Sequence, residues 1–202
     1  CGVDISYDDN KVLLSHQSKI KKFVNKHVVN ASRLPAETSL DPFVDSTDLE
    51  QNGIKIYQKI LGSLNYFTKW RPDLSLVYNK LAQQLQRPTK ANLKQANKVI
   101  GYLKSHPNMP IVINPDNLKQ CPNDKILTAF SDASYADCKD TRKSQLGYII
   151  FLYGIPIAWN STRSTNVCQS VNEAEFIAGQ TLYVDGGLWS QVPWPYGEDR
   201  DS

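Results

Sequence analysis

Apolar and polar residues change their spacing several times along the chain, and each change marks an element. Between Val3 and Leu14 two short alternating runs flank Asp8-Asp9-Asn10, a hairpin-turn composition, so the pattern predicts two strands and then a helix capped by Ser15. Ile20, Phe23, Val24 and His27 fall on one face of that helix, with Lys19, Lys21, Lys22 and Lys26 around the rest. From Arg33 to Asn52 no period survives; Pro35, Ser39, Asp41, Pro42, Asp45, Ser46 and Asp48 compose an acidic linker or surface excursion. Helical spacing returns with Tyr57, Ile60, Leu61 and Leu64. It returns again after Pro72, whose fixed φ and missing N–H suit a first turn, with Leu74, Val77, Tyr78, Leu81 and Leu85. Pro88 is expected to end that helix. Thr89 then caps a third, in which Leu93, Ala96, Ile100 and Leu103 face one way and Lys90, Lys94 and Lys98 the other.

Residues 105–125 hold four prolines and no helical period, with Ile111 to Ile113 as a short strand. A domain boundary is expected there, separating a helical part, 1–104, from a β-rich part, 126–180, and a tail, 181–202. The β-rich part opens with strand patterns at 126–131, 147–152 and 155–159. A helix then opens near Ser170 or Asn172, with Val171, Ala174, Phe176, Ile177 and Ala178 on its buried side.

Composition narrows the class without fixing it. With 41% hydrophobic and 21% charged residues the chain reads as an ordinary soluble globular protein, and its longest apolar run, Tyr148 to Tyr153, is far below the ~20 residues of a membrane helix. The first residues lack a signal-peptide layout, so an intracellular protein without a membrane partner is expected. A start at Cys1 rather than methionine suggests a fragment or processed piece. Cys1, Cys121, Cys138 and Cys168 are scattered with no C-x-x-C spacing, which points to unpaired thiols rather than a zinc or redox site. The net charge is only +3, yet no acidic residue lies between Asp73 and Asp116, a stretch containing Lys80, Arg87, Lys90, Lys94, Lys98 and Lys104. A lysine stripe opposite an apolar stripe is ordinarily a solvated face; here the lack of intervening acids adds the alternative of tracking nucleic-acid phosphates.

One carboxylate stands at a strand end, Asp132, and another near the core-facing edge of the following helix, Glu175. Such a pair suits Mg²⁺, which takes oxygen ligands and keeps part of its water shell. From spacing alone the plainer alternatives stand beside it, a turn Asp and a solvated helix Glu.

The residues also carry a family resemblance. Tyr57, Leu61-Gly62-Ser63-Leu64, Arg71-Pro72-Asp73, Pro88-Thr89 and Tyr102-Leu103-Lys104 follow in order the pattern found after the reverse transcriptase palm in copia-type retrotransposon polyproteins. FSDASYADCKDTRKSQLGYIIFL and VNEAEFIA resemble the ribonuclease H domain of the same polyproteins, and residues 1–24 resemble the end of the palm and its next helix. The resemblance covers roughly residues 2–178 and is specific because several motifs occur in one register. It implies an α/β protein with an α+β N-terminal part: a helical thumb or connection segment, then an incomplete ribonuclease H-like mixed sheet with its helix. It further implies Mg²⁺-dependent hydrolysis of RNA in RNA–DNA hybrids, with Asp132 and Glu175 as catalytic metal ligands and phosphate contact at Arg142 and Lys143, a turn that is equally well read as solvated. Other Pol segments are the implied protein partners, and the implied location is cytoplasmic, within virus-like particles, or nuclear.

The resemblance stops short of a complete nuclease. The family's two further metal-proximal positions follow the Glu by several tens of residues, and the reverse transcriptase aspartates precede the matched region, so polymerase activity is not expected of this chain alone. The strand at Ile126 to Phe130 becomes a sheet edge unless an expected strand at Thr181 to Val184 takes the vacant place. Asp185 offers a stand-in ligand but reads more simply as a turn residue beside Gly186-Gly187. GQTLYVDGG resembles the C-terminal strand of short-chain dehydrogenases, but no Gly-x-Gly-x-x-Gly turn lies upstream and the Tyr-x-x-x-Lys spacing at Tyr7 to Lys11 sits in a polar hairpin, so dehydrogenase chemistry is not expected. The alternative to a nuclease is a catalytically dead remnant that binds nucleic acid or connects polyprotein parts.

Overall fold

The computed structural model describes residues 2–36, 47–120, 122, 126–138 and 141–185. It divides into two units, one comprising Cys1–Phe130 with Ile149–Thr162, the other Ser131–Tyr148 with Arg163–Ser202.

The first unit starts with the expected hairpin. β1 (Asp4–Asp8) pairs antiparallel with β2 (Lys11–Ser15) through a turn in which Asp9 takes a left-handed φ of 50°. Helix α1 (Gln17–Val24) follows with His16, not Ser15, in the N-cap position, because Ser15 is the last residue of β2. The Ser15 hydroxyl still accepts the Gln17 N–H at 3.5 Å, and the next N–H is met from across the hairpin: the Asp4 carboxylate accepts the Ser18 backbone N–H at 2.7 Å and its hydroxyl at 2.6 Å. These donors hold the Asp4 carboxyl below its ordinary range.

α2 (Gln51–Thr68) buries Tyr57, Ile60, Leu61, Leu64 and Phe67, the stripe its sequence spacing defines. Pro72–Leu74 form a 3₁₀ turn leading into α3 (Ser75–Ala82), which ends six residues before Pro88 and leaves Leu85 exposed, so the proline is not its stop. α4 (Lys90–Ser105) opens with a full capping box, in which the Thr89 hydroxyl accepts the Asn92 N–H and the Asn92 side chain accepts the Thr89 N–H at 2.8 Å. One core joins Ile20 and Val24 of α1, the α2 stripe, Leu74, Val77 and Leu81, and Ala96, Val99, Ile100 and Leu103 of α4. Each large apolar side chain in it contributes about 1.5–3 kcal/mol by leaving water. Tyr57 is fully buried there and donates its hydroxyl to Leu81 O at 2.7 Å; burial pushes its pKa far up.

Two features lock this helical group. Arg71, 2% exposed, is gripped by Asp73 and also donates to His106 O at 2.8 Å, which joins the start of the 3₁₀ turn to the end of α4. Gly101 of α4 lets the chain at Asn30 pass at backbone contact, since a Cβ there would lie 2.2 Å from Asn30 O, and Ser32 N–H donates to Gly101 O at 3.0 Å.

The 105–125 stretch supplies β3 (Ile111–Ile113), which pairs antiparallel with β2, and α5 (Pro115–Gln120). A second three-stranded sheet follows in the order β4-β5-β6, from β4 (Leu127–Ser134), β5 (Gln145–Leu152) and β6 (Ile155–Arg163). All three strands are longer than their sequence patterns. Tyr153 (φ 52°) and Gly154 (φ 76°) make the β5–β6 turn, both left-handed as a two-residue hairpin of this twist requires. β4 is an outer strand of this sheet, as expected.

In the second unit the core is small. Ala133 of β4, Leu146 of β5, Cys168, and Ala174 and Ala178 of α6 (Val171–Asp185) form one buried cluster, with Ile177 packed against it. α6 runs through 181–184, so the strand expected there is helix and does not cover the β4 edge. Val171 and Phe176, expected on its buried side, are exposed at 53% and 62%; the small side chains of Ala174 and Ala178 make the packing face instead. Gly186-Gly187, the acids of 37–46, Cys1 and Cys121 lie outside the described residues. Among the described residues Cys138 and Cys168 are not joined in a disulfide, and no helix is long and apolar enough to cross a membrane. The architecture is thus mixed α/β, helices with two small sheets.

Candidate functional site

Asp132 lies within β4, two residues before its end, rather than at the end itself, and is exposed. Glu175 lies on the first turns of α6 and is exposed too, not at a core-facing edge. That helix starts where Ser170 accepts the Glu173 N–H at 3.1 Å while Glu173 Oε2 reaches back to the Gln169 N–H at 2.6 Å, a reciprocal arrangement of the capping-box type.

Both carboxylates belong to the second unit, and its core connects them. Ala133 and Ala174 are members of the same buried cluster, so Asp132 and Glu175 are each one peptide, about 3.8 Å between Cα atoms, from an alanine that packs in it. Strand geometry adds a second constraint. Successive side chains point to opposite faces, which sets Asp132 with exposed Phe130 and Ser134, and Ala133 with Ser131 on the other side.

The donor chemistry fits Mg²⁺ in part. Exposed carboxylates are hard oxygen donors, and a partly hydrated ion needs only one or two of them beside substrate phosphate. Among the described residues, however, no group of three or more His, Cys, Asp or Glu side chains lies close enough to hold a metal. Asp185 ends α6 instead of following a strand.

The basic turn is held by a residue that the sequence does not single out. Arg163, the last residue of β6, donates to Cys138 Sγ at 3.0 Å and to the Thr141 hydroxyl. Arg142 N–H donates to Cys138 O at 2.7 Å and Cys138 N–H to Lys143 O at 3.1 Å, so the loop closes on itself with Arg142 exposed at a left-handed φ of 54°. Buried Ser144 completes the closure, accepting Ala136 N–H at 3.2 Å on its hydroxyl and Ser164 N–H at 2.8 Å on its carbonyl. Nothing in a polar run such as Ser161 to Gln169 distinguishes Arg163 as the anchor.

Of the lysine stripe on α4, Lys90 and Lys94 are exposed and Lys98 is half-buried. The nearby Lys104 is used structurally, donating to Val29 O at 3.0 Å. The stripe lies in the first unit and the carboxylates in the second.

The chain is 31% identical over 162 residues to the retrovirus-related Pol polyprotein from transposon RE1 of Arabidopsis thaliana, a match covering 77% of this chain and 11% of that protein. It is 36% identical over 120 residues to the corresponding polyprotein from transposon RE2 of the same plant, covering 59% of this chain and 8% of that one. To the Transposon Ty1-NL2 Gag-Pol polyprotein of Saccharomyces cerevisiae it is 28% identical over 190 residues, covering 88% and 11%. No family model matches the chain, and no solved structure does. These relatives define a retrotransposon polyprotein class. Within that class the chain belongs with the copia-type Pol polyproteins, of which it corresponds to a fragment. It spans about a tenth of the length of these relatives.

Proposed function

We propose that this chain joins the end of a reverse transcriptase to the acid-bearing start of a ribonuclease H-type domain, and that it acts on RNA–DNA hybrid within a longer Pol polyprotein. Residues 1–104 are the reverse transcriptase part with its thumb or connection segment, 105–125 the linker and 126–180 the ribonuclease H-like part. The observation that carries the reading is the shared burial of Ala133 and Ala174, which ties the strand bearing Asp132 to the helix bearing Glu175. These two carboxylates would hold Mg²⁺. When bound, such an ion activates water and stabilises the leaving oxygen of a phosphodiester. Lys90, Lys94, Lys98, Arg142 and Lys143 supply positive charge for the phosphate backbone, a contribution that positions a duplex without reading its sequence.

Two carboxylates are fewer than the set that the resemblance implies for the family. A second reading, a remnant that binds hybrid without cutting it, is favoured by one observation: strand alternation turns Asp132 to the face opposite Ala133. An end-labelled RNA–DNA hybrid incubated with the full chain, with and without Mg²⁺, separates the two. Metal-dependent cutting that disappears in Asp132→Asn and Glu175→Gln supports the nuclease. Salt-sensitive binding without cutting selects the remnant. Failure to bind hybrid at low salt would sink both.

A further inference from the structure

The first unit contains a cleft of about 380 Å³ that none of the proposed nucleic-acid chemistry uses. Its walls are the C-terminal end of α2 with Thr68 and Lys69, the half-buried Ser75, Tyr78 and Asn79 of α3, and the residues 157–161 of β6. Trp159 holds the wall of β6 in place by donating its indole N–H to Thr68 O at 2.7 Å.

Three properties define what fits. Five consecutive residues of β6 line the cleft, and consecutive strand residues point to opposite faces; a cavity that touches all five therefore runs along the edge of the strand, not across one face. β6 is also the outermost strand of its sheet, so among the described residues no strand pairs with its outer side. Finally, the lining holds one cation, Lys69, and no carboxylate; apart from the Trp159 indole N–H, which is taken by Thr68 O, the remaining polar side chains are carboxamides and hydroxyls, which both donate and accept. An edge offering backbone N–H and C=O groups beside such walls matches an extended peptide, which adds a strand through its main chain and takes specificity from alternate side chains. The lone ammonium selects an acidic side chain.

We propose that this cleft is a docking site for an extended peptide segment carrying an acidic residue, added as a fourth strand along β6 with its carboxylate on Lys69. The site is independent of Asp132, Glu175 and the lysine stripe of α4.

The test uses the full chain and a fluorescein-labelled hexapeptide of alternating Thr and Val with one central Glu, followed by anisotropy. Three comparison probes are the same peptide with a central Gln, the same peptide N-methylated at alternate residues, and a thymidine hexanucleotide. Binding of the Glu peptide should weaken at least tenfold with the Gln peptide, with the N-methylated peptide and with Lys69→Gln. Lys69 is exposed, and circular dichroism melting of Lys69→Gln confirms that the variant stays folded. Saturation by the hexanucleotide that disappears in Lys69→Gln, with no peptide bound, would replace the proposal by a nucleotide site. Peptide affinity indifferent to Lys69→Gln or to N-methylation, or no peptide binding up to millimolar concentration, would overturn it.

Discussion

Arg71 and Asp73, two residues apart, close a two-point ion pair across the 3₁₀ turn, with Nε to Oδ1 at 2.9 Å and Nη2 to Oδ2 at 2.7 Å. Pro72 between them fixes the bend that lets both ends meet. The Tyr102 hydroxyl donates to the same Asp73 Oδ2 at 2.9 Å, and the guanidinium sits 5.6 Å from the Tyr102 ring centre, so α4 is held to the turn by one shared carboxylate. Arg71 is buried, and a buried guanidinium without its counter-ion is costly. Asp73→Asn should therefore lower unfolding stability by about 3 kcal/mol, measured by urea denaturation. Arg71→Lys should not be neutral, because an ammonium cannot make the planar two-point contact. A loss under about 0.5 kcal/mol for Asp73→Asn would mean that the pair is not a clamp.

The Arg-Pro-Asp motif shows where sequence reading succeeds and where it stops. As a pattern it is enough, with its neighbours, to indicate the family, but its role depends on Tyr102 and His106, some thirty residues away in sequence, and no local signal marks those partners. The same division runs through the fold. Tyr57, Ile60, Leu61 and Leu64 are legible because a helix repeats its buried face every 3.6 residues, and Thr89 because its cap is made by a residue three positions on. The cap of α1 is not, since the acceptor is Asp4, in another element. α6 misleads at both ends for a physical reason: Val171 and Phe176 carry apolar side chains without packing, and β-branched or aromatic residues at 181–184 suggest strand wherever propensity is consulted without context. Of the candidate site, the identity of Asp132 and Glu175 comes from motif order, whereas their relation to Ala133 and Ala174 requires the fold.

Gly101 offers a direct test of the crossing at Asn30. A methyl group there meets a backbone carbonyl oxygen, which cannot rotate aside, so Gly101→Ala should destabilise by about 2 kcal/mol despite the better helix propensity of alanine. Gly62, on α2, has no heavy atom within 4 Å of an added Cβ; Gly62→Ala should be stabilising by up to about 1 kcal/mol. Paired chemical denaturation curves measure both, and equal effects at the two sites would refute the close approach.

His16 makes the first unit acid-sensitive. Its ring is 2% exposed, stacked on Tyr66 with centroids 4.8 Å apart and beside Trp70 at 5.1 Å, and neither nitrogen has a hydrogen-bond partner among the described residues. Burial therefore depresses its pKa below the ordinary 6.5, only partly opposed by the Asp4 charge. As pH falls through that ordinary value the unfolded chain takes up a proton that the native state refuses, so stability is lost from there down to the depressed native pKa. Melting temperature measured from pH 8 to 5 should fall for the native sequence, and the part of the fall due to this residue should vanish in His16→Phe, which keeps the ring stack. Asp4 acts in a separate window: its contribution is complete above its ordinary value of 3.8 and is lost as pH drops through its lowered native value.

The exposed lysines of α4 test the proposed nucleic-acid surface in a way that stability cannot imitate. Lys90 and Lys94 are one helical turn apart and exposed, and Thr89 and Asn92 fix the start of the helix that presents them. If they neutralise phosphates, replacing both with glutamine should weaken hybrid binding and also reduce the slope of log affinity against log salt by about 0.9 for each phosphate no longer neutralised. A fold defect would lower the active fraction but leave that slope unchanged. Fluorescence anisotropy with an RNA–DNA hybrid at several salt concentrations reads both quantities together. A native slope retained in Lys90→Gln/Lys94→Gln would assign the stripe to a solvated face and move phosphate binding to the Arg142-Lys143 turn, where Arg142→Gln/Lys143→Gln should then produce the missing change.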